Sequence, residues 1–384
     1  MNLRDRLRAI DSGQKKKAPA PQKSFTDCYH REEMRPLSGF RNPFALSRET
    51  VMLMQSESMP DNFDPRRILY LDTETTGFAG GAGTVAFLVG VGYLTDGGFT
   101  VEQYLMRDYP EEQFLLEQIV ALLGRFDVIC TFNGRSFDVP LLRDRLIMKK
   151  MSTAPLEKPH IDLLHMARRL WKLRLQKCNL SHLEEAILGQ GRVDDLPGSE
   201  VPQRYFDFLK TGNFSLLTDV MTHNAQDIAS LCVLLNHMAY LYENPEEVPF
   251  AQDLFSMGAS LEKMRHHEAA RRCWRLVSAG SMHATAQLRL AGSLRRGGAR
   301  SQAACVWEDM IRRREGGVTP YVELAKYYEH TERDPKTALD FTRRALLLLA
   351  EPSLLDSDSV QEARNALQYR YDRLKRKCDH LKEM

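Results

Sequence analysis

From Arg67 the apolar positions of the chain gather into short blocks, "RILYL", "TVAFLVGVGYL" and "FTVEQYLMR". Runs of this length bounded by turn residues predict strands. "TDGG" between the second and third is a hairpin signal. The interval changes in "EEQFLLEQIVALLGRF", where Phe114, Leu115, Ile119, Leu122 and Leu123 recur with helical spacing. "DVICTFNG" reads as a further strand. "SFDVPLLRDRLIMKK" then opens a helix, with Pro140 tolerable in its first turn. The order strand, strand, strand, helix, strand, helix predicts an α/β domain with a mixed sheet and flanking helices. From Asp162 to about Glu243 the pattern is mainly helical, interrupted by the loop "GRVDDLPGSEVP".

The last third carries an internal repeat. Ala270, Ala304 and Ala338 are spaced 34 residues apart, and so are Cys273, Trp307 and Phe341. Leu254, Leu288 and Val322 keep that interval, as do Met257, Ala291 and Ala325. Thirty-four residues is the helix-turn-helix period of tetratricopeptide (TPR) arrays. The unit "PYVELAKYYEHTERDPKTALDFTRRAL" most resembles the TPR consensus. The small residues let paired helices approach, and the bulky ones three positions later fill the space between them. The expected organisation is a basic disordered tail over 1–24, an extension of open structure over 25–64, the α/β domain over 65–248, and an all-α TPR-like domain over 249–384. Such an array is an interaction scaffold, so a protein partner is expected, though no residue identifies it.

Composition narrows the setting. A chain of 384 residues suits two or three domains. The formal net charge of +2 gives no global field for nucleic acid, but a local groove is enough. The tail through Phe25 has seven Lys or Arg against two Asp, a local net of +5; it reads as a solvated tail or an arm for phosphates. Seven cysteines without CxxC spacing argue for reduced thiols in a cytoplasmic protein rather than a disulfide frame or zinc site. The N-terminus shows no apolar core of a secretion signal. "TVAFLVGVGYL" is too short to span a bilayer.

Chemistry enters with "YLDTETTGFAGG". Residues 72 and 74 of a strand point to one face. Two carboxylates there repel unless a cation lies between them, and a hard divalent ion prefers oxygen ligands. Alone, Asp72 and Glu74 also read as a solvated strand end. Asp138 in "TFNGRSFDVPLL" enters a helix, where Asp also serves as a cap. His223 and Asp227 in "THNAQDIASLCVLL" share a helix face at i and i+4, as an ordinary surface pair would.

Taken together and in order, the three motifs resemble those of DEDD-type 3′→5′ exonucleases of the ribonuclease H-like superfamily. "DTETTG" matches their DxE motif. "NGRSFD" has the N-G-x-x-F-D form of B-family polymerase proofreading domains. "HNAQD" matches the helix with Tyr or His before Asp. The resemblance spans roughly residues 65–245 and is tightest to a bacterial YprB-like group, in which an exonuclease-like domain precedes TPR repeats. "HIDLLHMARRLW" and "DDLPGSEVPQRYFDFL" resemble that group too. His223 stands four residues before Asp227, the spacing at which the DEDDy subclass has Tyr. The DEDDh subclass has its His five before, so neither subclass is matched outright.

The resemblance implies that Asp72, Glu74, Asp138 and Asp227 hold two Mg²⁺ or Mn²⁺ ions, roughly 3.5–4 Å apart, that clamp a scissile phosphate. Asp72 would touch both metals, and His223 would accept the proton of the attacking water. Thr75, Thr76 and Gly77 lie where related enzymes approach the terminal nucleotide, and Asn133 would position substrate or Asp138. The implied substrate is a single-stranded 3′ end of DNA or RNA, the product a nucleoside 5′-monophosphate. The competing reading is an adaptor without catalysis, working through its repeats. His160, His165 and His182 read as structural or surface groups, and Asp162 as a supporting or capping residue. Asp194 and Asp195 sit in a loop with an open role. "RRGGAR" and "RRREGG" read as solvated inter-helix loops.

Overall fold

Leu69, Leu71 and Ile129 face one side of a sheet, while Ile68, Tyr70, Val128 and Cys130 face the other. That alternation is what a strand buried on both faces requires. The computed structural model describes residues 27–35, 41–77, 83–192, 196–350 and 358–383. The basic tail, most of the "GFAGG" run, Asp194 and Asp195 lie outside the described residues.

Six strands form one mixed sheet: β1 (Tyr29–Arg35), β2 (Ile68–Thr75), β3 (Ala86–Thr95), β4 (Gly98–Leu105), β5 (Val128–Thr131) and β6 (His160–Asp162), in the order β1-β4-β3-β2-β5-β6. β1, β4, β3 and β2 run antiparallel to their neighbours; β5 and β6 continue from β2 in parallel. The expected mixed sheet is therefore present, and β1 adds a strand from the stretch left open in the sequence. β1, "YHREEMR", is rich in charge and alternates between half-buried and exposed positions, which suits a protected edge. Its lack of an apolar block is why periodicity does not find it.

Helices cover both faces. Residues 112–123, 138–148 and 201–211 pack on the face of Leu69 and Leu71; residues 163–175 and 218–243 pack on that of Tyr70. Asp72, two positions after Tyr70, thus points toward the helix Thr218–Glu243, while Thr73 points toward the helix Asp138–Met148. All four candidate carboxylates lie within electrostatic reach of one another around the end of this strand.

From Ala251 the described residues form helices and the turns that join them. Successive antiparallel pairs are 251–263 with 267–276, 283–296 with 300–312, and 319–330 with 335–350, followed by the helix Asp358–Glu383. Ala270, Ala304 and Ala338 are buried, as are Met257, Ala291 and Ala325. The helix Leu163–Leu175 packs on Ala251–Lys263, so the sheet domain and the helical region share one core. A Cβ on Gly258 would lie 2.4 Å from the indole nitrogen of buried Trp274. Gly→Ala normally favours a helix by about 1 kcal/mol. Here the helices must part, at a cost of about 1–3 kcal/mol. Gly258→Ala is therefore expected to lower the urea midpoint; a raised midpoint would show that Trp274 swings aside freely.

No helix among the described residues is long and apolar enough to cross a membrane. No disulfide joins the seven cysteines, all of which are described.

Candidate active site

β2 begins apolar and ends acidic, and its last residues leave the buried layer. Asp72 and Glu74 are half-buried there. Asp72 is held from the helix Thr218–Glu243, where Asn224 Nδ2 donates to its Oδ2 at 2.9 Å. Asn224 is fully buried, and its own Oδ1 accepts from Gln103 Nε2 at 2.9 Å. This amide reaches Asp72 because Gly90, paired with Asp72 across the sheet, has no side chain. A Cβ on Gly90 would lie 2.1 Å from Asn224 Oδ1, a glycine used for close approach.

Asp138 arrives from the opposite face. The segment before it turns at Asn133, whose φ is +69°, a conformation Asn adopts more readily than most residues. The carboxylate of Asp162 fixes that turn, accepting from the backbone amides of Asn133 at 2.9 Å and Arg135 at 3.2 Å. It also caps the helix Leu163–Leu175 through Leu164 N, so the supporting role read for Asp162 is present. Asp138 opens its helix as the first residue, not as the cap. Its Oδ1 accepts from Thr73 Oγ1 at 2.6 Å.

Asp227 and His223 lie on the helix Thr218–Glu243, with His223 Nε2 3.4 Å from Asp227 Oδ2. Arg192, from the loop before the helix Val201–Thr211, reaches into this corner. It pairs with Asp227 and with the fully buried Glu184, the latter at 2.8 Å from Nη2 to Oε1. Its Nη1 lies 3.0 Å from His223 Nδ1. A guanidinium only donates. His223 Nδ1 therefore accepts, its proton sits on Nε2, and Nε2–H faces Asp227. The lone pair that a general base needs is taken by Arg192 in this arrangement.

Electrostatics tie the four carboxylates together. Burial, then repulsion from Asp227, Asp138 and Glu74, holds Asp72 well above the usual carboxylate range. Burial and the charges of Asp227 and Asp138 push Glu74 up to about 8 against the pull of Arg192. Burial raises Asp138 to about 6 despite the Thr73 hydrogen bond. Asp227 is also raised by burial, with His223 and Arg192 opposing. Negative charge is thus concentrated beyond what the described side chains neutralise.

No three His, Cys, Asp or Glu among the described residues stand in a ready ligand shell as they lie. The donors nevertheless fit a hard divalent cation, because they are oxygens and they repel one another, although Arg192 now takes one side of the cluster. A cleft of about 470 Å³ opens beside them, lined by Asp72, Thr75, Gly77, Asn133 and Asp138, with exposed Phe137 at its rim. Thr76 is turned to the loop: its amide donates to Val85 O at 3.0 Å and its hydroxyl accepts from Val85 N at 3.1 Å. Glu74, His223 and Asp227 are absent from the cleft lining and meet around Arg192. His160 is buried against Thr131, its pKa lowered to about 4 by burial, a structural group as read.

A family model described as RNase H superfamily matches residues 69–239. The YprB protein of Bacillus subtilis (strain 168) is 31% identical over 369 residues, covering 91% of this chain and 86% of that protein. The chain belongs to the YprB family, and its residues 69–239 match the RNase H superfamily. Among solved structures, the family B DNA polymerase from the hyperthermophilic archaeon Pyrobaculum calidifontis aligns at a TM-score of 0.36 and 16% identity, over 61% of this chain and 30% of the polymerase. In this YprB-family chain the supporting residues Thr73, Gly90, Gln103, Glu184, Arg192 and Asn224 escape sequence reasoning. Two glycines in an otherwise apolar strand, "VGVGYL", were the available signal for Gly90 and its partner.

Proposed function

We propose that the protein is a metal-dependent nuclease that removes nucleotides from single-stranded 3′ ends of DNA or RNA. The observation that supports this best is the convergence of Asp72, Glu74, Asp138 and Asp227 around one strand end, each with its proton affinity raised. Such perturbation in and beside a cleft makes the four candidates for a functional site. In this reading the four would hold two Mg²⁺ or Mn²⁺ ions, which would neutralise charge at the phosphate and make water a better nucleophile at neutral pH. The chain's own part is positional. Asn224, braced by Gln103, aims Asp72, and Thr73 aims Asp138. Thr75, Gly77 and Asn133 seat the terminal nucleotide in the cleft. The bond from phosphorus to the 3′ oxygen breaks as water adds to phosphorus, giving a nucleoside 5′-monophosphate and a shortened strand whose 3′ oxygen takes up a proton from solvent. His223 accepts the water's proton once Arg192 has released Nδ1. The paired helices beyond Ala251 would serve as a TPR-like platform for a protein partner.

The test is cleavage of 5′-labelled single strands of DNA and RNA in EDTA, Mg²⁺ or Mn²⁺. A metal-dependent ladder shortening from the 3′ end, absent from Asp72→Ala, is expected. Activity retained in that variant would sink the reading, and internal cuts would change it to an endonuclease.

A further inference from the structure

The helix Leu163–Leu175 has three uses. Leu163, Leu164, Met166, Ala167, Leu170 and Trp171 are buried in the core. Arg174 pairs with buried Asp253 at 2.8 Å and so ties the helix to the C-terminal region. The remaining face carries Arg168 and Lys172, both exposed, and the following turn adds exposed Lys177. None of these three is engaged in an ion pair among the described residues, unlike Arg174. They line a groove of about 590 Å³ with no acidic side chain among its described walls. The groove shares Phe132 and Asn133 with the carboxylate cleft, so the two adjoin at that segment. Arg168 and Lys172 both act on the thiol of buried Cys178, which places their charges over the same floor.

We propose that this groove binds the phosphodiester backbone of the single strand whose end enters the carboxylate cleft. The inference rests on the nuclease reading for the strand's direction, but not for the binding itself. Arg168 and Lys172 are one helical turn apart, about 6 Å, on the scale of one step of an extended polynucleotide. Unpaired cations beside an aromatic are the usual make-up of a single-strand track: charge follows the backbone while bases stack. Phe132, at the junction with the cleft, supplies that ring. A solvated basic face would not need to adjoin the acidic cleft. A polyanion does need such a flank, because the carboxylates alone would repel it.

The test is fluorescence anisotropy of the full chain in EDTA, with labelled 15-nucleotide oligothymidylate and oligouridylate, over a salt series. Each phosphate neutralised on a single strand contributes a slope of about −0.7 in log K against log salt. The variant Arg168→Gln/Lys172→Gln/Lys177→Gln is expected to flatten that slope by about 2. A control, Lys375→Gln/Arg376→Gln/Lys377→Gln, removes the same charge from exposed positions on the last helix and is expected to leave the slope unchanged. Lys172→Glu alone is expected to weaken binding as well, which covers a triple variant that folds poorly. Loss on both polymers assigns the groove to the shared backbone; loss on one assigns it to that sugar. An unchanged slope, equal flattening by the control, or no binding by the unmodified protein overturns the proposal. Strand cleavage with an unchanged slope would defeat the groove and leave the nuclease standing. Groove-dependent binding without cleavage would do the reverse.

Discussion

Glu74→Gln is expected to make the metal-free protein more stable at pH 8 and to flatten its stability between pH 4.5 and 8. The sign follows from proton binding. Glu74 has an ordinary value of 4.5 and is raised to about 8 in the folded chain, by burial first and then by Asp227 and Asp138. Between those values the folded state binds more protons than the unfolded state. Stability therefore falls as pH rises through that window. Each tenfold change in proton affinity is worth about 1.4 kcal/mol, so the loss reaches kilocalories by pH 8. Glutamine keeps the shape without the charge and removes the repulsion that Glu74 shares with Asp138 and Asp227. The same substitution is expected to reduce the stabilisation conferred by Mn²⁺ and to cut strand cleavage. Urea unfolding in EDTA at pH 5 and pH 8, with and without the substitution, measures the first effect. A variant less stable than the parent at pH 8 would show that Glu74 is held by attraction rather than crowded by like charge.

How far the sequence leads depends on what kind of contact makes each feature. β2 to β5 announce themselves because their side chains are buried on both faces and leave contiguous apolar runs. β1 is an edge strand of charged residues, and its place is decided by pairing with β4, a long-range event with no local trace. Asp72 and Glu74 are visible because strand alternation fixes their shared face. Asp138 and Asp227 are visible through resemblance to ordered motifs, since no periodicity links residues so far apart. Arg192 had no such route. It sits in an irregular loop, and only the folded chain brings it against Glu184, His223 and Asp227. The helical spacing placed His223 beside Asp227 correctly, but could not tell that its Nδ1 would accept from a guanidinium. The 34-residue interval foretold buried positions such as Ala270, Ala304 and Ala338. Leu288 and Val322, by contrast, are only half-buried, because a shared interval does not ensure equal depth.

Arg192→Ala is expected to weaken the metal-free fold and to tighten divalent-cation binding. Glu184 is fully buried, and the side chain of Arg192 is only 11% exposed. Removing one partner of a buried pair leaves the other charge uncompensated, typically a loss of about 3–5 kcal/mol. Burial works against the charge of Arg192, yet Glu184 and Asp227 outweigh it and raise its pKa. The guanidinium thus stays a cation at any working pH and competes for Asp227. Without it, Asp227 and Glu184 add negative potential to Asp72, Glu74 and Asp138, so a divalent ion meets a stronger field and no rival. Mn²⁺ should then restore more stability to the variant than to the parent, in proportion to its tighter binding. Arg192→Lys keeps the charge but loses the fork that spans Glu184 and Asp227, and should fall between the two. Calorimetric titration with Mn²⁺, beside urea unfolding in EDTA, reads both quantities. Weaker Mn²⁺ binding by Arg192→Ala would mean that the arginine holds Asp227 in place for the metal. Equal binding would mean that it braces Glu184 alone. The expected outcome would support the proposal that bound metal displaces Arg192, and that its departure from His223 Nδ1 frees the proposed base.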